Sequence, residues 1–497
     1  MGSNILVSVF ILPLLSAVSL LFFWGRVRTQ KVIGGVFISL YLVASVIQFV
    51  FVKSSGSITL DVGSWPAGIG IGFIVDLLSA FFVLLTSVVA FLSYFYVTSS
   101  SNSSSKISVF LPVFFFLIFG LNGAFIAADL FNLYVWFEVM IVSSFVLFTL
   151  GGKRAQLEGS LKYVAINVFS SSIFLAGIGI LYGITGSLNM QMIGSNLPLV
   201  ENRMLVSIAV TFFVVSFGIK AAIFPLFFWL PSTYHTAPVG YTALVVALLT
   251  KVGIYALLRF FTVIFPLQGT LFQPILLVLS GFTMVVGVLG AAAQTDFRKI
   301  LSFHIVSQIG YMLMGIAIYT PLAIAGAVFF VVHNVLVKTN LFLVSGLVNK
   351  LFGSYKLKEL GGVYRKFPFI ALLFALSAFS LTGIPPLSGF WGKYILAVAG
   401  FSANQWLPVT VTAISLGVSL LTLFSMTKIW NEVFWKPNPQ VVEPNFPRQS
   451  FIIEVVKQYP GMFFSIVTLT VLILILGIFP NSIIEVCMEI SNSFFHK

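Results

Sequence analysis

The stretch LTGIPPLSGFWGKY, residues 381–394, decides how this chain is read. It lies inside a run apolar enough to cross a bilayer, yet it holds Gly383, Pro385, Pro386, Gly389 and Gly392 and then Lys393. A proline inside a spanning helix frees a backbone carbonyl and bends the helix, which is tolerated only where protein or a water-filled cavity receives that carbonyl. A second stretch of this kind, KAAIFPLFFWLPSTYHTAP at 220–238, joins Lys220 to Pro225 and Pro231. Two further lysines, Lys251 and Lys338, stand in unbroken apolar runs. An ammonium at membrane depth is costly, so it faces a bundle interior or a wet path, and withdrawal from water favours the neutral amine. Four such groups mark a route along which charge is handled.

Composition sets the wider frame. With 59% hydrophobic residues, 8% charged and a mean hydropathy of +1.09, the 497 residues hold too little polar surface to coat a soluble fold. The expected class is an all-α polytopic membrane protein. One cysteine, Cys487, leaves no internal disulfide or thiolate cluster, and His235, His304, His333 and His496 lack metal-ligand spacing. No cofactor and no metal are expected. The net charge of +13 is spread over polar loops and not gathered in one stripe, so it reports membrane topology and no nucleic-acid partner. The first apolar run lacks a basic leader and reads as a span that stays.

A window of about 20 apolar residues finds fourteen candidate spans: 3–24, 32–52, 72–97, 107–126, 129–150, 163–185, 204–232, 240–262, 272–293, 300–319, 322–347, 369–402, 406–429 and 460–483. With both termini outside, the inner loops hold eighteen basic residues and the outer side four, an asymmetry that an odd span count would scramble. No loop is long enough for a soluble domain, so 1–497 reads as a single membrane domain; the inner loops near 348–368 and 430–459 have room for a short surface helix. The outer loop Gly56–Gly70 alternates apolar and polar residues around Gly63, Pro66 and Gly68, which suits a small hairpin. Broken spans 7 and 12, five apart, point to two inverted five-helix repeats, 107–262 and 272–429, each with its own ion path.

Glu138, midway along the fifth span in ADLFNLYVWFEVMIVSSFVLF, is expected to pair with Lys220 and to control its proton, because a merely structural pair is replaceable by apolar packing. Lys251 reads as a relay from Lys220, against the alternative of snorkelling to an interface. Lys338 and His333 are five apart, about 500° round a helix, and so face within roughly 140° of each other without sharing one stripe. His333 is either a titrating group or a satisfied core donor. Lys393, just past the break, reads as the exit of the second half-path. Asp76 and Asp129 are acids at the outer mouth or helix-terminal charges, with capping expected for Asp129. For His235 and His304, near span ends, structural hydrogen bonding is weighed at least equally with proton transfer.

These motifs together resemble the antiporter-like subunits shared by respiratory complex I, membrane-bound hydrogenases and Mrp-type cation/proton antiporters. The resemblance runs from Asp76-Leu-Leu-Ser through the Glu138 span, KAAIFPLFFWLPSTYHTAP, the Lys251 helix, TDFRKILSFHIVSQIGYM, the Lys338 helix and GIPPLSGFWGK. It implies that Glu138, Lys220, Lys251, Lys338 and Lys393 form a chain of protonatable groups along the membrane midplane. Within the family, DLFNLYVWFEVMIVSSFVLFTLGG and SLKYVAINVFSSSIFLAGIGILYGITGSLN look most like D-type subunits of Mrp antiporters, and length agrees, as does lysine at 393. Many relatives carry histidine four residues before the span-11 lysine, where this chain has Asn334 with His333 one place earlier.

The implied role is a proton-moving subunit of a multisubunit Na+/H+ antiporter in the bacterial plasma membrane, a secondary transporter and not an enzyme. Implied partners are the other Mrp antiporter subunits, the large A-type one included, together with protons, sodium and the lipid bilayer. Nothing in the sequence resembles a sodium cage of carboxylates and carbonyls, so sodium is expected to move in a neighbouring subunit. The rival readings are a redox-driven proton-pumping subunit of complex I or a hydrogenase, a permease for a small organic anion, and a non-transporting scaffold.

Overall fold

The computed structural model describes residues 2–64, 70–100, 104–437 and 456–495. Pro66 and Gly68 of the expected hairpin tip, residues 438–455 of the long inner loop with Arg448, and His496 and Lys497 lie outside the described residues.

Helices dominate, as hydrocarbon requires: a backbone in lipid must satisfy its own N–H and C=O groups. In chain order they are α1 (Gly2–Phe22), α2 (Val27–Ser55), α3 (Leu77–Ser100), α4 (Ser104–Ile126), α5 (Leu130–Thr149), α6 (Arg154–Thr185), α7 (Met190–Asn196), α8 (Arg203–Ala221), α9 (Trp229–Tyr234) and α10 (Val239–Arg259). There follow α11 (Phe272–Ala293), α12 (Phe297–Ile318), α13 (Pro321–Phe352), α14 (Val363–Lys366), α15 (Pro368–Thr382), α16 (Ser388–Ser402), α17 (Trp406–Ile429), α18 (Pro460–Ile478) and α19 (Asn481–Phe495). Among the described residues, thirteen helices are long and apolar enough to cross a membrane. The chain is an all-α polytopic membrane protein. The expected span 369–402 is corrected to two helices of 15 residues each, α15 and α16, separated at Gly383–Leu387, and each half alone falls short of the spanning length. Span 204–232 likewise stops at Ala221, where Ala222 takes a positive φ of 60°, and resumes as the short α9.

The expected hairpin is present with a shifted boundary. Strand β1 (Ile58–Asp61) pairs antiparallel with β2 (Gly72–Val75), Ile58 opposite Val75 and Asp61 opposite Gly72, so the second strand begins beyond Gly70. The C-terminal helix α19, absent from the sequence reading, is amphipathic: Val486, Cys487, Ile490 and Ser491 are buried while Glu485 and Glu489 are exposed.

The chain divides into two compact units. One comprises Met1–Tyr94, Ser101–Ala221 and Leu248–Leu267. In it α4 packs on α1, α2 and α5, and α6 lies between α5 and α8. At its hairpin end Asp76 accepts from the backbone N–H of Ser79, capping α3 at 3.0 Å, and forms a two-pronged ion pair with Arg259 near the end of α10. Arg259 also donates through Nε to the Tyr255 hydroxyl at 3.0 Å, and that hydroxyl donates to the Phe125 carbonyl. Asp129 caps α5 through the Asn132 N–H at 2.7 Å.

The other unit comprises Phe95–Ser100, Ala222–Ala247 and Gln268–Lys497. Its axis is α13, buried at every position from Ala323 to Val348 because α12, α15, α16, α18 and α19 all pack on it. An all-round apolar helix of this kind belongs in a core. At the break, Gly383 has a φ of +94° and closes α15 in a left-handed cap. Gly389 opens α16 so tightly that a Cβ there would stand 1.8 Å from the Ser380 carbonyl and 2.9 Å from the His333 ring.

Two stability measurements on detergent-purified protein follow from these contacts. Arg259→Ala leaves the half-buried Asp76 carboxylate without its counter-charge and is expected to cost about 1–3 kcal/mol; the double variant Asp76→Asn with Arg259→Gln costs less, and an unchanged melting temperature for Arg259→Ala contradicts the assignment. Gly389→Ala overpacks the break and is expected to cost about 1–3 kcal/mol, whereas Gly417→Ala, which has open space around it, leaves the melting temperature unchanged.

Candidate functional site

Each unit encloses its own set of ionisable side chains. In the first, the break after Ala221 leaves Lys220 in the last turn of α8, where the carbonyl end of the helix dipole favours a cation. The lysine is 6% exposed. Its Nζ donates to the Ser171 Oγ on α6 at 3.2 Å and stands 4.7 Å from the centre of the Phe137 ring on α5. Both contacts stabilise a cation, the second through the ring quadrupole. One turn earlier a reciprocal serine pair fixes α6 to α8: Ser170 and Ser216 each donate to the other's carbonyl at 2.9 Å.

Glu138 lies on α5 next to Phe137 and is half-buried; its Oε1 is enclosed and has no hydrogen-bond partner among the described residues. The structure forms no direct ion pair between Glu138 and Lys220, although the carboxylate is near enough for its charge to act on that ammonium. The expected pair is therefore an electrostatic neighbour relation and not a contact. Lys251 on α10 is fully buried, and its Nζ has no hydrogen-bond partner among the described residues. The helices of these two lysines meet closely: a Cβ on Gly253 would stand 2.6 Å from the Ala221 backbone nitrogen, one residue from Lys220.

The second unit holds Lys338, His333, Lys393, His304 and His235. Lys393 on α16 folds back over the break, and its Nζ donates to the carbonyls of Leu381 at 3.1 Å and Thr382 at 2.8 Å. These are C-terminal carbonyls of α15, which an intact helix would have consumed in its own ladder. The ammonium also stands 5.1 Å from the centre of the Tyr311 ring. Breaking the span thus manufactures a cation site from backbone dipoles. Gly383 keeps it open, since a Cβ there would meet Lys393 Cδ at 3.0 Å.

Lys338 and His333 are both fully buried on α13. His333 Nδ1 is hydrogen-bonded to the Ser388 Oγ at 2.8 Å, and Ser388 to the Ser380 Oγ at 2.9 Å, so the histidine is tied to both sides of the break. The two lysines Lys338 and Lys393 are the charges that act on His333 and on His304. His304 Nε2 is bonded to the Ser425 Oγ at 2.6 Å. His235, half-buried after α9, is bonded through Nδ1 to the Pro231 carbonyl, and Asp76 is held by Arg259; neither joins the enclosed lysines of its unit.

Sequence reasoning passed over Phe137, Ser171, Tyr311 and Ser388. The run Ser170-Ser171-Ser172 in an otherwise apolar span was the available signal for one of them, and Ser388 immediately after the double proline for another. Nothing in the sequence marks Phe137 or Tyr311 among so many aromatic residues.

Comparison with known proteins adds an independent line. The family model described as NADH:quinone oxidoreductase/Mrp antiporter, transmembrane, matches residues 127–420. The chain is 39% identical to the D subunit of the Na+/H+ antiporter of Alkalihalophilus pseudofirmus over 491 residues, covering 99% of this chain and 97% of that protein. It is 34% identical to the corresponding D subunit of Bacillus subtilis, covering 94% and 93% respectively. Its fold superposes on a chain of the Mrp complex from a Dietzia species with a TM-score of 0.89 at 28% identity, over 99% of this chain and 97% of that one. A match spanning both breaks and every enclosed lysine, at this identity and over the full length, leaves one assignment: the chain belongs to the NADH:quinone oxidoreductase/Mrp antiporter transmembrane family.

Proposed function

We propose that this chain is the proton-translocating subunit of a multisubunit Mrp-type Na+/H+ antiporter, and that Glu138, Lys220, Lys251, Lys338 and Lys393 carry the proton. The observation that carries the reading is the enclosure of four lysines in helices that also align end to end with antiporter D subunits. Lys220 is held by a serine and a ring and Lys393 by backbone carbonyls, whereas Arg259 is locked against the Asp76 carboxylate. A carboxylate near an ammonium stabilises it, so a proton delivered by water, forming an O–H bond at Glu138, weakens the hold on the Lys220 proton, whose N–H bond then breaks toward a transient water that carries it on. Lys251, Lys338 and Lys393 repeat the exchange through transient water. His333 serves as a hydrogen-bonded station between α13 and the break.

The same reading includes an arrangement in the membrane. Both termini lie outside, as the basic loop residues favour, and the segments 107–262 and 272–429 are inverted repeats, each built around one break that follows or precedes a lysine. The chain forms one membrane domain that assembles with the remaining antiporter subunits, the large A-type one included. Sodium crosses in a neighbour, coupled to this chain through charge. The family model also covers NADH:quinone oxidoreductase subunits, so a redox-driven pump is the second reading; purification with native partners separates the two, since iron–sulfur subunits accompany only the pump.

The relay is tested in everted vesicles from antiporter-deficient cells that express the complete set of subunits. Glu138→Ala and Lys220→Ala are each expected to abolish the sodium-driven pH change while the complex still assembles; normal activity in either variant refutes the role of that residue.

A further inference from the structure

Helix α12 is buried along nearly its whole length, yet one face carries His304, Ser307, Gln308 and Tyr311, spaced i, i+3, i+4 and i+7. Facing it, α17 presents Ser415, Ser419, Thr422 and Ser425, all buried except the half-buried Ser419. The two faces are joined at both ends. The Tyr311 hydroxyl donates to the Ser415 carbonyl at 2.6 Å and lies 2.8 Å from the Ser419 Oγ, and His304 Nε2 meets the Ser425 Oγ at 2.6 Å. Along this face the α12 side chains are stranded: both polar atoms of Gln308, His304 Nδ1 and, at the edge where α12 packs on Gly287 of α11, Ser307 Oγ are enclosed with no hydrogen-bond partner among the described residues.

Four such atoms within about 10 Å of helix, the rise from His304 to Tyr311, carry an uncompensated desolvation penalty if left bare. Buried polar groups in this situation are satisfied by internal water, which needs two or more polar partners and finds them here. The polar run also has ends of the right kind. At one end Lys393 stands over the Tyr311 ring. At the other, one turn beyond Ser425, the half-exposed Lys428 donates to the Ala292 carbonyl at 3.0 Å and the Gln294 carbonyl at 2.8 Å, where α11 terminates.

We propose that the α12–α17 seam is a hydrated access route joining Lys393 to the end of the bundle that carries Arg298, Lys299 and Lys428, with His304 and the Tyr311–Ser419 pair as its hydrogen-bonding stations. This rests on the reading of Lys393 as a proton carrier and extends it with a second entry to the membrane interior. The chemistry is that of an imidazole between two partners. A proton arriving from water forms the Nδ1–H bond as the Nε2–H bond breaks toward the Ser425 oxygen, which passes its own proton on. Lys338 and Lys393 are the charged side chains near enough to act on His304.

The test replaces Cys487, the only cysteine, by serine and introduces Thr422→Cys, Ser425→Cys or Leu420→Cys singly in the assembled complex. Leu420 lies on the exposed apolar face of α17. A small hydrophilic methanethiosulfonate is expected to modify the first two on the order of tenfold faster than the third, because the thiolate forms only where water reaches it, and modification at position 425 is expected to block antiport. Equal rates at all three positions overturn the proposal. Lys393→Ala is measured alongside. If it abolishes antiport while the seam cysteines stay unreactive, the seam falls and the relay stands; if it leaves antiport normal, the relay fails and the seam's role goes with it.

Discussion

A charge enclosed in a membrane bundle must be met by something, and the ways in which this chain meets its charges organise the rest of it. Arg259 is met by a full counter-charge in a two-pronged pair with Asp76. Lys393 is met by backbone dipoles, the carbonyls of Leu381 and Thr382. Lys220 is met by a hydroxyl and an aromatic face, and Lys251 by no hydrogen bond among the described residues. The series runs from a locked charge to progressively weaker holds. A charge bound to neutral dipoles can leave without abandoning an opposite charge in hydrocarbon, and a charge in a bidentate pair cannot. The first kind suits a carrier and the second a clamp.

The two breaks serve this end by different means. After Ala221 the chain turns at Ala222 and leaves Lys220 in the last turn of a helix whose carbonyl end already favours a cation. Between α15 and α16 the chain instead reverses role: the lysine follows the break and reaches back across it, using carbonyls that the interruption has freed. Gly383 and Gly389 are required there for separate reasons, the one for its left-handed backbone and room beside the lysine chain, the other because the Ser380 carbonyl leaves no space for a Cβ. His333, on the central helix α13, is tied to that break by its hydrogen bond to Ser388.

Much of this was legible in the sequence because its signals are local. The spans follow from apolar length, the breaks from Pro225, Pro385 and Pro386, and the lysines from their rarity in such surroundings. The hairpin followed from alternation, with a boundary error because Ile71–Val75 reads equally well as the start of a span. What escaped depends on residues far apart in the chain. Asp76 meets Arg259 across 183 residues, and His304 meets Ser425 across 121. Serines and threonines in apolar helices normally bond their own backbone, so the ladder from Ser415 to Ser425 carried no distinguishing mark until α12 was placed opposite it. The Glu138 carboxylate was expected against the Lys220 ammonium because opposite charges at one depth attract; an aromatic ring and a serine, closer at hand, took the contact. The amphipathic α19 was missed because its apolar positions fall on one face and never build a spanning run.

If the enclosed lysines carry the proton, they change protonation state as the transporter works. Solid-state nitrogen-15 spectroscopy of the assembled complex in lipid, with lysine labelled at Nζ and signals assigned by single substitutions, reads that state directly. Imposing a sodium gradient is expected to convert part of the signal of Lys220, Lys251, Lys338 or Lys393 between ammonium and amine. Signals that remain those of an ammonium at all four positions throughout sodium-driven proton movement would contradict it.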